Sequence, residues 1–335
     1  MTANPLKGFS VDRSSIRTIG HDLQRPECIL AEPNGDLWSA DARGGLMHIR
    51  PDGSQTFIGQ TASAAFGGTD NAEARFTQGT LPNGLAFARN GDILISNFGT
   101  DRLERMTRAG DTHVLHDTID GKPIGKVNFV LRDSRDRIWM TVSTRVNPWT
   151  TAAASRVRDG FVAVADERGL RVVADGFSFT NEIRFDAREE WLYIVETTGP
   201  HITRMRVVES AGGVALTDRE IHGPAHLGGM PDGIAFDSAG NLWCTLVMID
   251  QLIAITPQGE RLMLLDDSTP AGHDLVRAFD AGQATSEMMF AAAGSIAPWM
   301  ASVTFGGPDL KTVYVGSLRG TRIPYFRSPS RARWS

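Results

Sequence analysis

The chain has 335 residues, with 34 Lys and Arg against 39 Asp and Glu, and 41% of its residues are hydrophobic. This length can bury a large core, either in two ordinary domains or in one large architecture such as a propeller. The net charge of −5, without a concentrated basic segment, argues against nucleic acid as a partner, because phosphates are neutralised by clustered Lys and Arg. No apolar run approaches the ~20 residues that cross a bilayer, so we expect no membrane partner and a cytoplasmic protein.

In chain order, the sequence is a succession of short β-rich runs, each followed by turn residues. One phrase occurs six times, and it consists of an alternating strand, a turn and a second strand that contains a large apolar residue. The copies end at Trp38, Leu94, Trp139, Tyr193, Trp243 and Tyr314. This spacing suits blades of four strands with ~40–50 residues each. It predicts an all-β fold, a six-bladed β-propeller in which residues 1–335 form a single domain.

The last interval between phrases is the longest, because Trp243 and Tyr314 are 71 positions apart. We therefore expect an insertion at about residues 267–300. Segment 271–294 is rich in Ala, Met and acidic residues, which predicts a helical or loop insertion over one face before the last blade. Residues 15–20 are expected to complete the last blade from the N-terminal side, which closes the ring and removes its free edge.

Familiar catalytic and metal-binding motifs are absent from the sequence. Cys28 and Cys244 belong to no Cys-x-x-Cys pair, so we expect buried thiols instead of a disulfide or a zinc site. There is no His-Glu-x-x-His, Gly-x-Ser-x-Gly, Walker or dinucleotide-binding motif. Zincin, serine-hydrolase, kinase and dehydrogenase functions therefore have no support.

Each copy of the repeated phrase has a residue in an equivalent place two positions before its first aligned apolar residue. This column reads Glu27, Asn83, Asn128, Asn181, Asp232 and Ala301. In a propeller the innermost strands line the channel, so equivalent residues at their starts form a ring at its mouth. Two carboxylates and several amide oxygens suit a hard divalent cation, which would also neutralise the carboxylates. The alternative is that Asn83-Gly84 and Asp232-Gly233 are turn dipeptides with a backbone role alone.

A resemblance to the gluconolactonase and senescence marker protein (regucalcin) family is carried by three stretches, GGMPDGIAFDSAGNLW, TNEIRFDAREEWLYIVET and VTFGGPDLKTVYVGSL. The resemblance extends from about Pro26 to Phe326. It implies a six-bladed propeller with one divalent metal ion in the channel. Calcium is the first expectation, and zinc, magnesium, manganese or iron are alternatives. The resemblance also implies an enzyme that opens a lactone.

The same resemblance implies roles for individual residues. Glu27, Asn181 and Asp232 correspond to the metal ligands, and Asn128 corresponds to a residue that contacts substrate or metal. As a hypothesis, the metal polarises the lactone carbonyl, Asn128 orients its oxygen, and Asp232 is the general base for the attacking water. The alternative bases are Glu196 and the loop histidines His201, His222 and His226.

Two positions beside Asn128 depart from the sugar-lactone members of the family. Those members commonly have Arg and Asp where this chain has Lys126 and Phe129. Lys126 alternates with Asn128 along a strand, so it is expected to face the same side and hold a carbonyl or carboxylate, with a surface salt bridge as the alternative. The expected substrate-binding residues are Asn83, Lys126, Asn128, Phe129, Trp149, Glu196 and His201.

Loops at the channel mouth carry many aromatic and sulfur-containing side chains. They are Phe98, Trp149, Phe177, Phe179, Met230 and Met248. Apolar walls favour an apolar ring, which predicts a lactone with fewer hydroxyls than a sugar lactone as the small-molecule partner. Two alternatives remain open at this point. One is another metal-dependent ester or phosphotriester hydrolase on the same fold, and the other is a non-catalytic calcium- or ligand-binding propeller.

Overall fold

Each repeated phrase folds into the two innermost strands of a four-stranded antiparallel sheet. The computed structural model describes residues 4–61, 79–155 and 157–333. Within these ranges there are six four-stranded sheets and one small two-stranded sheet. Alternating apolar residues form the strands because successive side chains of a strand point to opposite faces, and both faces of each blade pack against a neighbour.

The first three blades follow the chain from the centre of the ring outward. Blade 1 contains β2 (Ile29–Ala31), β3 (Leu37–Asp41), β4 (Gly45–Ile49) and β5 (Gln55–Gly59). Blade 2 contains β6 (Pro82–Phe87), β7 (Ile93–Asn97), β8 (Arg102–Met106) and β9 (Thr112–His116). A hairpin of β10 (Thr118–Ile119) and β11 (Lys122–Pro123) leads to the next blade. Blade 3 contains β12 (Val127–Arg132), β13 (Ile138–Val142), β14 (Gly160–Asp166) and β15 (Gly169–Phe177).

The other three blades continue in the same order. Blade 4 contains β16 (Thr180–Phe185), β17 (Trp191–Glu196), β18 (His201–Ser210) and β19 (Gly213–His222). Blade 5 contains β20 (Met230–Phe236), β21 (Leu242–Val247), β22 (Gln251–Ile255) and β23 (Arg261–Asp266). Blade 6 contains β24 (Met300–Gly306), β25 (Thr312–Ser317), β26 (Ile323–Arg327) and, from the N-terminal side, β1 (Arg17–Ile19).

The innermost strands form a closed ring around a channel. β2 contacts β6, and the contacts continue through β12, β16 and β20 to β24, which contacts β2 again. β1 pairs antiparallel with β26, with Ile19 opposite Ile323. The six-bladed propeller and its closure by an N-terminal strand are thereby confirmed. The extent of one domain over all 335 residues stays a prediction.

The large apolar residue at the end of each phrase packs between blades. Trp139 of blade 3 meets Phe185 of blade 4 edge to face, with ring centroids 5.3 Å apart. Trp243 of blade 5 meets Phe305 of blade 6 in the same way at 5.2 Å. Burying such a side chain contributes roughly 2–3 kcal/mol, so the repeat itself supplies the adhesion between blades.

Helices cover one face of the propeller. Helix α1 (Trp149–Ala153) lies between β13 and β14, and α2 (Pro270–Asp280) and α3 (Ser286–Ala291) lie between β23 and β24. The latter two form the predicted insertion before the last blade. Phe279 and Met289 of the insertion pack in one cluster with Phe98 and Phe179 from the blade loops. In the parts of the chain that the structure describes, no helix is long and apolar enough to cross a membrane.

Candidate active site

Four polar residues of the predicted column lie in β-bulges at the starts of the inner strands, and Glu27 precedes β2. The pairing register of β12 shifts between Val127 and Phe129, and β6, β16 and β20 shift at the equivalent places. A bulge adds one residue to a strand and redirects its side chain. The four bulge residues therefore leave the strand alternation and line one cavity at the channel mouth. They are Asn83, Asn128, Asn181 and Asp232.

The glycines that follow two of these residues serve close approach between strands. Asn83-Gly84 lies within β6 and Asp232-Gly233 within β20, so neither pair is a turn dipeptide, contrary to the alternative that the sequence left open. A Cβ on Gly84 would lie 2.7 Å from Phe129 Cα, and one on Gly233 would lie 2.4 Å from Ala301 O. Only glycine lets adjacent inner strands come this close.

Hydroxyl side chains of the second strands hold the bulges in place. Ser96 Oγ accepts a hydrogen bond from Gly84 N at 2.8 Å and donates to Asn128 O at 2.6 Å. Thr245 Oγ1 accepts from Gly233 N at 2.9 Å and donates to Ala301 O at 2.8 Å. Each hydroxyl ties its own bulge to the next blade. These hydroxyl residues have a regular place in the sequence. Ser96, Thr141 and Thr245 each follow the end of a phrase by two positions.

The cavity has a polar floor and apolar walls, and its volume is about 60 Å³. The polar residues that line it are Arg25, Glu27, Asn83, Asn128, Asn181, Thr197 and Asp232. The apolar residues include Phe98, Trp149, Phe179, Met230, Met248, Met289 and Trp299. Met289 and Trp299 belong to the insertion and its return to β24. The insertion therefore shields the polar floor from water.

Two buried oxygen atoms in this floor have no hydrogen-bond donor, Glu27 Oε2 and Asn181 Oδ1. Asn181 Nδ2 donates to Thr197 Oγ1 at 3.1 Å. This bond orients the amide. Asp232 lies in the same cavity and is 4% exposed. Buried acceptors without donors are costly unless something positive ligates them, and carboxylate and amide oxygens suit a hard cation.

The side chains that could hold a metal ion are of more than one chemical type. In the described residues, no group of three or more His, Cys, Asp and Glu side chains is arranged to hold a metal ion. The set formed by Glu27, Asn181 and Asp232 contains two carboxylates and one amide. These residues fit a divalent cation through the unpartnered Glu27 Oε2 and Asn181 Oδ1 and through the carboxylate of Asp232.

Burial destabilises the charges of the floor carboxylates. It raises the pKa of Glu27 to about 8, where Arg25 and Arg184 oppose the shift and Glu182 adds to it. Burial also raises the pKa of Asp232 well above its usual range, with further increases from Glu27 and Glu182. A bound cation would offset this cost by neutralising both groups.

Glu182 is a third buried carboxyl group that the sequence analysis missed. It follows Asn181 in β16, and its Oε2 lies 3.0 Å from Arg184 Nη2 while Oε1 has no partner. Burial raises the pKa of Glu182 to about 7 although Arg184 and the Ile234 amide oppose the shift. The repeated column does not indicate Glu182, because this residue lies one position after the column.

Asn83 orients the amide of Asn128. Asn83 Nδ2 donates to Asn128 Oδ1 at 3.2 Å and to Asn128 O at 2.9 Å. The oxygen of the Asn128 side chain is therefore engaged. Its nitrogen is the atom that can donate to a ligand in the cavity.

Arg25 is a cavity residue that the sequence analysis also missed. Its Nη2 donates to Asn83 Oδ1 at 2.5 Å and its Nη1 donates to Pro82 O at 3.2 Å. Burial lowers the pKa of Arg25, and the nearby carboxyl groups of Glu27 and Asp232 oppose the shift. The backbone of Arg25 is left-handed, with φ of 57°, a conformation that a strand pattern does not reveal.

Lys126 and Phe129 lie outside the cavity, which differs from the expectation. Lys126 Nζ pairs with Asp101 at 2.8 Å, as in the salt-bridge alternative, and donates to Phe98 O at 3.3 Å. Phe129 is 1% exposed and packs in the core beneath Arg184. The physical reason is the bulge at Asn128, which breaks the alternation that would have aligned Lys126 with Asn128.

Glu196 and His201 lie beside the cavity and do not line it. Glu196 accepts hydrogen bonds from Ser178 N at 2.8 Å and from Thr203, and it lies 3.2 Å from His201 Nε2. Burial raises the pKa of Glu196, but these hydrogen bonds outweigh it and lower the pKa to about 2. The Glu196 carboxylate is therefore a poor base. Its hydrogen bonds instead hold the end of β17 in place.

The other two loop histidines are also engaged elsewhere. His222 packs edge to face against Tyr193, and burial lowers its pKa to about 4. His226 Nε2 lies 2.9 Å from Asp280 in an exposed pair. No histidine is found among the described residues that line the cavity.

Five of the six predicted wall residues line the cavity, and Phe177 does not. Trp149 meets Phe98 edge to face at 5.4 Å, and Phe179 lies next to it at 6.2 Å. Phe177 is fully buried in the core, with Arg219 over its ring. The insertion contributes two walls that the sequence analysis did not name, Met289 and Trp299.

Comparisons with known proteins agree with the propeller fold. The chain is similar to 6-deoxy-6-sulfogluconolactonase of Pseudomonas putida, at 27% identity over 53% of this chain and 54% of that protein. The alignments span about half the length of the curated relatives that the chain matches. Among solved structures, it resembles a gluconolactonase of Xanthomonas campestris, with a TM-score of 0.66 and 17% identity over 93% of this chain and 89% of that one.

A second similar structure is a calcium-binding protein, regucalcin of Agrobacterium tumefaciens, with a TM-score of 0.65 and 14% identity over 95% of this chain and 96% of that one. The model of one family, described as the SMP-30/gluconolactonase/LRE-like region, matches residues 77–294, which is more than half of the chain. The chain therefore belongs to the SMP-30/gluconolactonase/LRE-like family.

Proposed function

We propose that this protein is a metal-dependent lactonase whose cation is held by Glu27, Asn181 and Asp232. The observation that carries the proposal is the pair of buried, unpartnered oxygens, Glu27 Oε2 and Asn181 Oδ1, in the cavity that Asp232 also lines. Membership of a family that includes gluconolactonases supports lactone opening as the reaction. The calcium-binding regucalcin of similar structure supports calcium as the first metal to test. Zinc, magnesium, manganese and iron follow.

The chain's own residues supply positioning and proton transfer. When bound, the cation supplies Lewis-acid polarisation of the lactone carbonyl. Asn128 donates an N–H to the carbonyl oxygen as negative charge develops on it. Asp232 takes a proton from the attacking water, whose oxygen bonds to the carbonyl carbon. The ring C–O bond then breaks, and the departing oxygen receives the proton.

The apolar walls set the class of lactone. A sugar lactone brings several hydroxyls, and each one buried without a partner costs ~1–3 kcal/mol. Phe179 and Met248 offer no hydrogen-bond donor to such hydroxyls, and Trp149 offers only its indole N–H. We therefore propose a lactone less hydroxylated than the sugar lactones after which the curated relatives are named.

Proton release measured on a substrate panel tests this function. With calcium-saturated protein, γ-valerolactone and an aryl-substituted γ-lactone are expected to have higher kcat/KM than gluconolactone. A clear preference for gluconolactone would contradict the proposed substrate class and leave the lactonase function intact. Cleavage of only an aryl ester or a phosphotriester would replace lactonase with those hydrolase activities. Metal binding without turnover of any of these compounds would indicate a non-catalytic propeller.

A further inference from the structure

One positive charge stands in the floor of the cavity. Among the described residues that line it, Arg25 is the only one with a basic side chain. Lys126, the basic residue that the sequence placed here, pairs with Asp101 outside the cavity. Any selection of a negatively charged substrate group at this site therefore depends on Arg25.

The charge balance of the floor leaves Arg25 without a counter-ion when the proposed cation is bound. Glu27 and Asp232 are the acidic residues that line the cavity. Their two negative charges are balanced by one divalent cation. Because Glu182 is paired with Arg184, the guanidinium of Arg25 then leaves the floor with a net charge of about +1.

Arg25 also has unused hydrogen-bonding capacity. A guanidinium carries five N–H donors, and Arg25 uses Nη1 on Pro82 O and Nη2 on Asn83 Oδ1. Its Nε is buried without a hydrogen-bond partner. The planar fork of an arginine matches the two oxygens of a carboxylate, which is a stronger contact than a neutral hydrogen bond.

Among the described residues, the walls supply no second charged anchor, although Trp149 Nε1 is a buried donor without a hydrogen-bond partner. Phe98, Trp149, Met248 and Trp299 line the cavity above the floor and present mainly apolar surface. A small ring with one negatively charged substituent suits both the walls and the floor. Its ring would pack on the apolar walls, and its charged group would pair with Arg25.

We infer that the substrate is a small lactone that carries a carboxylate, and that Arg25 binds this carboxylate while the lactone carbonyl faces Asn128. The inference rests on the proposed function and deepens it. Arg25 is assigned to substrate recognition and not to bond cleavage. Its loss should therefore raise KM for the charged substrate more than it lowers kcat.

Calorimetric binding tests the assignment without turnover. The probes are tetrahydrofuran-2-carboxylate and its uncharged counterpart 2-methyltetrahydrofuran, and neither contains a lactone bond. With calcium-loaded protein, the carboxylate is expected to bind more tightly than the neutral ring. Arg25→Met should weaken carboxylate binding about 10- to 100-fold, as expected for loss of a hydrogen bond to a charged group. Binding of the neutral ring should change much less, so that the ratio of the two affinities falls toward one.

Two further variants make the binding result specific. Arg25→Lys keeps the charge and is expected to retain intermediate affinity. Arg145→Met removes a positive charge from an exposed residue in the neighbouring β13–β14 loop, outside the cavity, and is expected to change nothing. Carboxylate binding that survives Arg25→Met but is lost from chelated protein would place the carboxylate on the metal and overturn the inference.

Turnover separates this inference from the proposed function. The matched substrates are 5-oxotetrahydrofuran-2-carboxylate and γ-valerolactone, which share the ring and differ in the substituent. The carboxylate is expected to have the higher kcat/KM, and Arg25→Met should abolish the difference through KM. Equal turnover of both, unchanged in Arg25→Met, would overturn the Arg25 assignment while the lactonase stands. Arg25-dependent binding without turnover of either lactone would uphold the anion site and refute the lactonase.

Discussion

At the scale of single residues, the chemistry of the cavity depends on how side-chain amides are turned. Thr197 accepts from Asn181 Nδ2 and donates to Pro231 O at 2.8 Å, so the Asn181 oxygen faces the floor. Asn83 holds the Asn128 oxygen, so the Asn128 nitrogen is available. The two amides are thus turned in opposite senses, which suits the proposed roles of Asn181 as a metal ligand and of Asn128 as a donor to the substrate.

Replacing Asn128 by Ala separates metal binding from catalysis. The variant is expected to keep its metal, because Asn128 is not in the proposed ligand set. Its kcat should fall about 100- to 1000-fold, as for removal of a donor to a developing oxyanion. Steady-state kinetics with native mass spectrometry measure both quantities. The exposed turn residue Asn90, changed to Ala, is the control, and an unchanged kcat in Asn128→Ala would remove this residue from the mechanism.

Glu196 makes a pH-dependent contribution to stability. Its pKa is lowered from 4.5 to about 2 in the folded protein, so its stabilisation is present above pH ~4.5 and is lost as the pH falls toward ~2. Glu196→Gln is expected to lower the free energy of unfolding by roughly 3 kcal/mol at pH ~7. The deficit should be about 1 kcal/mol smaller at pH ~3.5.

Urea unfolding at the two pH values measures this difference. Glu167→Gln, in an exposed turn, is the control and should behave like the wild type at both. A deficit for Glu196→Gln that stays constant between the two pH values would show that its carboxylate is not stabilised by folding.

The sequence could not predict the direction in which some side chains of the site point. Strand alternation placed Lys126 beside Asn128, but a bulge separates them. Arg25 lies outside the repeated column and reaches the floor through a left-handed backbone, which local propensity does not indicate. The column itself was predictable, because equivalent positions of a repeat occupy equivalent places around the ring.

At the scale of the strand, the bulge at the start of an inner strand is the feature that brings a column residue into the cavity lining. In blades 2–5 the bulge turns one polar side chain toward the axis, and a second-strand hydroxyl such as Ser96 fixes it to the next blade. The arrangement requires adjacent inner strands to come close. This explains glycine at positions 84 and 233.

Gly84→Ala tests the need for this close approach. Its Cβ would lie 2.7 Å from Phe129 Cα and 2.9 Å from Ser96 Oγ, so strands β6 and β12 must separate. We expect a loss of ~2–4 kcal/mol in the free energy of unfolding, in the range of overpacked sites. Gly59→Ala is the matched control, because its Cβ would make only an ordinary contact at 3.5 Å. Equal stability of the two variants in urea would contradict this explanation.

At the scale of the whole molecule, ring closure depends on the short strand β1. Pro324 lies opposite Thr18 and has no amide proton to donate. The backbone hydrogen bonds between β1 and β26 are therefore expected at the flanking pairs, including Ile19 with Ile323. Ile19→Pro removes a donor and is expected to cost ~2–3 kcal/mol and to promote self-association through the freed edge of β26. Ile19→Val keeps the ladder and should cost about 1 kcal/mol.

Urea unfolding and light scattering measure these two effects. Indistinguishable stability and size for Ile19→Pro and Ile19→Val would show that the ring does not depend on β1.

The sequence predicted the architecture well because each phrase is a complete structural unit. Its final large apolar residue packs on the next blade, as Trp139 does on Phe185, so the same pattern had to recur around the ring. The long interval after Trp243 located the insertion. Which cavity wall the insertion would form was not predictable, because Met289 and Trp299 meet the blade loops only in three dimensions.

The most direct test of the account is lactone hydrolysis by protein that has been chelated and then reconstituted with calcium. Proton release from γ-valerolactone or its carboxylate-bearing analogue should be absent after chelation and return in proportion to calcium, reaching its maximum at about one ion per chain. Asp232→Ala should neither retain the ion nor recover activity. Turnover by fully chelated protein at the reconstituted rate, or full calcium occupancy in Asp232→Ala, would contradict the proposed metal site.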